Sequence, residues 1–100
     1  MYTRDEVEVL IEEYEELINL PDTTRKGLMI LLRLMDIQRA VRRLPMFERR
    51  VVVLYGMGRL PAREVGQILG VSWVQVLRMY IHGLRRTIAL LNGRTYRPNE

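Results

Sequence analysis

Ser72, Gln75 and Arg78 recur three residues apart, and Arg59, Arg63, Arg85 and Arg86 flank them. The chemistry these side chains offer is hydrogen bonding to anions and to base edges. Arg presents a planar fork that matches phosphate and guanine, Gln pairs with adenine, and a Ser at a helix start adds its hydroxyl to the free N–H groups there. Catalytic chemistry is not represented. The chain has no Cys, a single His (His82), no Gly-rich phosphate loop and no paired carboxylates in an apolar setting. Glu8 with Glu12, and Glu12 with Glu16, stand at i,i+4 but read as a solvated helix face. The expectation is a protein that is not an enzyme and takes no metal and no cofactor.

The elements that would hold these residues can be read from spacing. Pro61 suits a first helical turn, and Glu64 suits the positive end of the helix dipole. Val65, Ile68 and Leu69 recur at helical intervals and are expected to face inward. Gly66 falls where two crossing helices approach. Gly70 falls where the chain must leave the helix, since Gly enters the left-handed region cheaply. Val71 closes the turn, and Ser72 is a good N-cap for a second helix whose buried side carries Val76, Met79, Tyr80 and Leu84. Helix, Gly turn, cap and second helix in this order describe a helix-turn-helix, whose second helix enters the major groove of DNA.

Further landmarks extend the pattern. Leu44-Pro45, Glu48-Arg49-Arg50-Val51-Val52-Val53-Leu54, Tyr55-Gly56, Glu64-Val65-Gly66-Gln67-Ile68-Leu69-Gly70-Val71-Ser72 and Leu84-Arg85-Arg86 follow one another. In that order, residues 44–91 resemble region four of bacterial sigma factors. Gln75-Val76-Leu77-Arg78-Met79, the short length and the added N-terminal hairpin are also similar to the sigma-like regulators of phages and prophages (the ArpU type). The resemblance implies double-stranded DNA as partner, with RNA polymerase or a sigma factor as a protein partner. It places Trp73, Val74, Leu77 and Arg78 at the promoter, with Gln75 nearby, and Arg59, Arg63, Ser72, Arg85 and Arg86 on phosphates.

The recognition positions depart from that family's polar pattern. Trp73, Val74 and Leu77, with Ile81, are apolar residues at helical spacing. Two readings therefore stand side by side. One is a DNA-binding transcriptional regulator whose second helix reads the major groove. The other is a protein-interaction module that keeps the helix-turn-helix as a scaffold and binds a partner, or itself, through that apolar helix.

Outside this unit the sequence reads as helical throughout, giving an all-α fold of about five helices. Three divisions are expected: an N-terminal helical hairpin over 1–43, the helix-turn-helix unit over 44–92 and a flexible tail over 93–100. The first helix, about 4–20, aligns Val7, Leu10, Ile11, Tyr14, Leu17 and Ile18. Pro21-Asp22-Thr23-Thr24 is a turn that caps the second helix, about 25–43. A third helix, about 45–55, carries Met46, Phe47, Val51, Val52, Leu54 and Tyr55 as core, with Glu48, Arg49 and Arg50 exposed. Gly56-Met57-Gly58 reads as a flexible turn, and the last helix covers 73–91.

Charge is segregated. Residues 1–24 hold eight acids against Arg4, a net −7, whereas residues 25–100 hold fifteen bases against four acids, a net +11. A basic body fits nucleic-acid binding, and the acidic segment must point elsewhere. The second helix is apolar over more than half its circumference. Leu28, Leu31, Leu32 and Met35 are therefore candidates for a homodimer interface, which would present paired half-sites about one helical turn apart. No apolar run approaches the ~18 residues of a membrane span. The expected setting is cytoplasmic, without a membrane partner.

Overall fold

The computed structural model describes residues 1–19 and 24–96. Among them it has six α-helices, a π-helical segment and no strand, an all-α fold. The helices are α1 (Arg4–Glu12), α2 (Tyr14–Ile18), α3 (Arg25–Arg42), α4 (Met46–Val51), α5 (Ala62–Leu69) and α6 (Trp73–Leu91), with the π-helical turn at Val52–Met57. No helix among the described residues is long and apolar enough to cross a membrane.

The expected first helix is broken in two at Glu13. Thr3 caps its start by accepting the Glu6 N–H. Glu8, Glu12 and Glu16 then repeat at i,i+4, where like charges repel, and the acids crowd a helix C-terminus that favours cations. α1 buries Val7, Leu10 and Ile11, whereas α2 buries nothing fully. The turn at residues 20–23, with Pro21, Asp22 and Thr23, lies outside the described residues. Thr24 caps α3, its hydroxyl accepting the Gly27 N–H at 3.2 Å. α1 and α3 run antiparallel, joined by the Tyr2 hydroxyl donating to Asp36 at 2.9 Å and by the Arg33–Glu6 ion pair.

One core runs through the whole molecule. Val7 and Ile11 of α1, Leu34, Ile37 and Val41 of α3, Val51 and Val52, Val65 of α5, and Val76, Tyr80 and Leu84 of α6 form a single buried cluster. α3 buries Leu34, Ile37 and Val41 on this side, with Leu44 buried just beyond its end. Met46 and Phe47 do not join the core but stand about half exposed. α4 is only six residues long, so one face serves the core, and Val51 takes it.

Gly56 and Met57 are not a flexible turn. They complete the π-helical segment, in which the Gly58 N–H donates to Val53 O at 2.7 Å. The wider turn brings Gly56 into the core. A Cβ there would lie 2.8 Å from Ile11 Cγ2 and 2.9 Å from Tyr80 Cε1.

Tyr80 packs edge-to-face on Tyr55, with ring centroids 5.0 Å apart, and its buried hydroxyl has no hydrogen-bond partner among the described residues. Burial, reinforced by Glu12 and Glu8, pushes its pKa up to about 12. The folded state therefore holds this proton more tightly than the unfolded chain. The contribution is whole below pH 10 and is lost as pH rises towards 12. Tyr2, raised to about 12 chiefly by burial and by its bond to Asp36, titrates in the same window. Tyr80→Phe removes an orphaned hydroxyl, so thermal melts should show equal or slightly higher stability, by up to about 1 kcal/mol. Between pH 10 and 12 the variant should lose less stability than the parent. A drop above 1 kcal/mol at neutral pH would mean that the hydroxyl is in fact satisfied.

Candidate nucleic-acid interface

α5 and α6 form the helix-turn-helix through backbone geometry that the sequence demanded. Gly70 is left-handed, at φ 73°, and the Val71 N–H turns back to Gly66 O at 2.9 Å. Gly66 lies under the turn so closely that a Cβ would meet Val71 O at 2.5 Å. Ser72 caps α6 by accepting the Gln75 N–H at 3.2 Å, and Gln75 Oε1 accepts the Ser72 N–H at 3.1 Å, a complete capping box.

This cap changes the part Gln75 can play. A bidentate pair with adenine needs its carbonyl oxygen and its amide N–H together. The oxygen already accepts the Ser72 N–H. Gln75 therefore holds the helix start, and a two-bond adenine contact would have to share that oxygen with the cap.

The start of α6 is electropositive. Its free N–H groups carry the positive end of the helix dipole. The Arg63 guanidinium lies 6.0 Å over the Trp73 ring, so the first turns of α5 and α6 adjoin. Arg59, just ahead of α5, adopts a left-handed φ of 55°, unusual for a residue with a Cβ. Arg59, Arg63, Arg78 and Arg85 are exposed and make no ion pair among the described residues. Glu64 is the only acid in α5 or α6.

The outward face of α6 differs from expectation in composition. Val76, Tyr80, Gly83, Leu84 and Thr87 are buried. At 100° per residue the opposite stripe is Val74, Arg78, Ile81 and Arg85, alternating apolar and basic. Trp73, Val74 and Ile81 are exposed, as expected. Leu77 is only partly so and lies on the flank of the stripe.

Arg86 is engaged within the fold. Its Nε donates to Glu48 Oε1 at 2.9 Å, its Nη2 reaches Oε2 at 3.4 Å, and its guanidinium lies 5.3 Å over the Tyr96 ring. Glu48, expected to be exposed, is correspondingly part-buried. The tail lies back along α6 as far as residue 96. The Arg94 N–H donates to Ala89 O at 2.7 Å, and the Tyr96 hydroxyl meets His82 Nδ1 at 2.7 Å. Residues 97–100 lie outside the described set.

A feature missed by spacing is a groove of about 420 Å³ lined by Arg49, Arg50, Val53, Leu54, Ile68 and Leu69. Ile68, expected to face inward, is exposed. The signal was available: Val65, Gly66 and Leu69 already define the buried face of α5, and Ile68 points well away from it. The chain matches no protein-family profile, no curated protein and no solved structure.

Proposed function

We propose that this chain is a DNA-binding transcriptional regulator of the sigma region-four kind, with α6 as the recognition helix in the major groove. The observation that carries this reading is the acid-poor start of α6. There Arg63 lies over Trp73 beside a capped helix N-terminus, and neither Arg63 nor Arg78, on the outer face of α6, makes an ion pair among the described residues. Arg78 is the side chain best placed to read a base, as a forked donor to guanine, with Val74 against a thymine methyl. Arg59, Arg63 and Arg85 hold phosphates beside it. RNA polymerase or a sigma factor is the protein partner this reading allows.

The test is Trp73 fluorescence anisotropy with random-sequence duplex at low and high salt. Binding should fall steeply with salt, because neutralised phosphates release counter-ions. Arg63→Ala should weaken binding to all sequences and lower the salt slope by about one unit. Arg86→Ala should leave the slope unchanged and instead destabilise the fold by about 2 kcal/mol, the worth of a charged hydrogen bond. The reverse pattern would put Arg86, not Arg63, on the DNA. No binding at low salt would refute the reading.

The exposed Trp73, Val74 and Ile81 favour a second reading, in which α6 binds a protein. Trp73→Arg would then abolish that complex, while under the first reading it preserves or strengthens non-specific DNA binding.

A further inference from the structure

α3 carries a second, larger apolar face. Leu28 is 52 % exposed, Met29 51 %, Leu31 38 %, Leu32 57 % and Met35 39 %. At helical spacing, Leu28, Leu31, Leu32 and Met35 share the side that points directly away from buried Leu34, Ile37 and Val41. They form one contiguous patch over two turns, of the kind a soluble chain rarely leaves open. We propose that this face is the interface of a homodimer in which two copies of α3 pack antiparallel, crossing near Leu31 and Leu32.

Three observations select a second copy in this orientation. First, the patch is self-complementary. With the two-fold axis between Leu31 and Leu32, Leu28 meets the partner's Met35 and Leu31 meets the partner's Leu32, so each exposed apolar residue faces another. Second, the two ends of the hairpin differ in charge. α1 and α3 align Tyr2 with Asp36 and Glu6 with Arg33, which sets α2 beside the first turns of α3. At that end exposed Glu13, Glu15 and Glu16 outnumber Arg25 and Lys26; at the other, Arg39, Arg42 and Arg43 outnumber Asp36. An antiparallel pair sets the basic end against the partner's acidic end, and a parallel pair sets like on like. Third, antiparallel helices oppose their dipoles favourably. The polar flanks Arg25, Gln38, Arg39 and Arg42 extend the contact towards the ~800 Å² per partner of a stable interface. α3 packs on α6 through its buried face, so the dimer leaves Val74, Arg78 and Ile81 uncovered. The proposal stands independently of the DNA-binding reading.

The test is sedimentation equilibrium of the full chain, with Leu32→Glu as the variant. Leu32 is exposed, so circular dichroism and melting should confirm that the variant folds. The wild type should be dimeric at micromolar concentration, and Leu32→Glu should weaken association at least about tenfold. A wild type still monomeric at about 100 µM, or a dimer indifferent to Leu32→Glu, overturns the proposal. Orientation is read separately, because the chain has no Cys of its own. Under mild oxidation, Leu28→Cys mixed with Met35→Cys should give the mixed disulfide. Self-linked Leu28→Cys would mean a parallel pair and overturn the orientation.

Discussion

Gly66→Val should lower the melting temperature by roughly 10–20 °C and abolish any function of the helix-turn-helix. The atom facing a new Cβ is a backbone oxygen, Val71 O, at 2.5 Å, with Ser72 C and Trp73 N at 3.4 Å. No side chain can rotate away to relieve the contact. α5 and the start of α6 must part, and the Val71 N–H bond to Gly66 O is lost with them. Overpacking of this kind costs about 1–3 kcal/mol, and each kcal/mol lowers the melting temperature of a domain this size by about 4–8 °C. Gly70→Ala is the matched control. Nothing lies within 4 Å of a Cβ there, and only its φ of 73° opposes a side chain. That penalty is about 1 kcal/mol. Calorimetry of the two variants should rank Gly66→Val clearly worse; equal losses would mean that the turn gives way as a unit.

Deleting residues 1–20 should unfold the chain rather than release a DNA-binding fragment. Val7 and Ile11 are fully buried and Leu10 nearly so. Each such side chain contributes about 1.5–3 kcal/mol by burial, and together they rival the 5–15 kcal/mol net stability of a typical domain. The deletion also removes the Arg33–Glu6 and Tyr2–Asp36 contacts. The milder Ile11→Ala should cost about 2–5 kcal/mol in urea unfolding, because it opens a cavity between Gly56 and Tyr80. An acidic helix so embedded cannot lift off to expose the basic body. A folded 21–100 fragment with tighter DNA binding would contradict this account.

What the sequence made legible was whatever depends on local backbone demands. Gly70, Ser72 and the periodic Val65, Leu69, Val76 and Leu84 each answer a requirement within a few residues, and the turn geometry follows from them. The helical character of the whole chain was visible for the same reason. Features set by distant partners were not. Arg86 looked like another phosphate ligand because Glu48 is 38 residues away in the chain. The Gly56-Met57-Gly58 run looked like a loop because its closeness to Ile11 and Tyr80 exists only once α1 has docked. Gln75 looked like a base reader, although its spacing from Ser72 already contained the capping box. Met46 and Phe47 looked like core by type alone, and a six-residue helix has too little inward face to bury them.

Asn92 returns to the beginning of the chain. Its side chain accepts the Tyr2 N–H and donates to Tyr2 O, both at 2.9 Å. Residues 2 and 92 are therefore neighbours, at the far end of a 19-residue helix that spans about 28 Å from the Ser72 cap. The molecule is single-ended in use. A fluorophore, surface anchor or fused domain joined ahead of Tyr2 leaves from the base of α6, remote from Ser72. The same clasp makes residues 2 and 92 natural points to splice, so a circular permutant that joins these two with a short linker, omits the tail and opens the chain at Gly58 should keep the core intact.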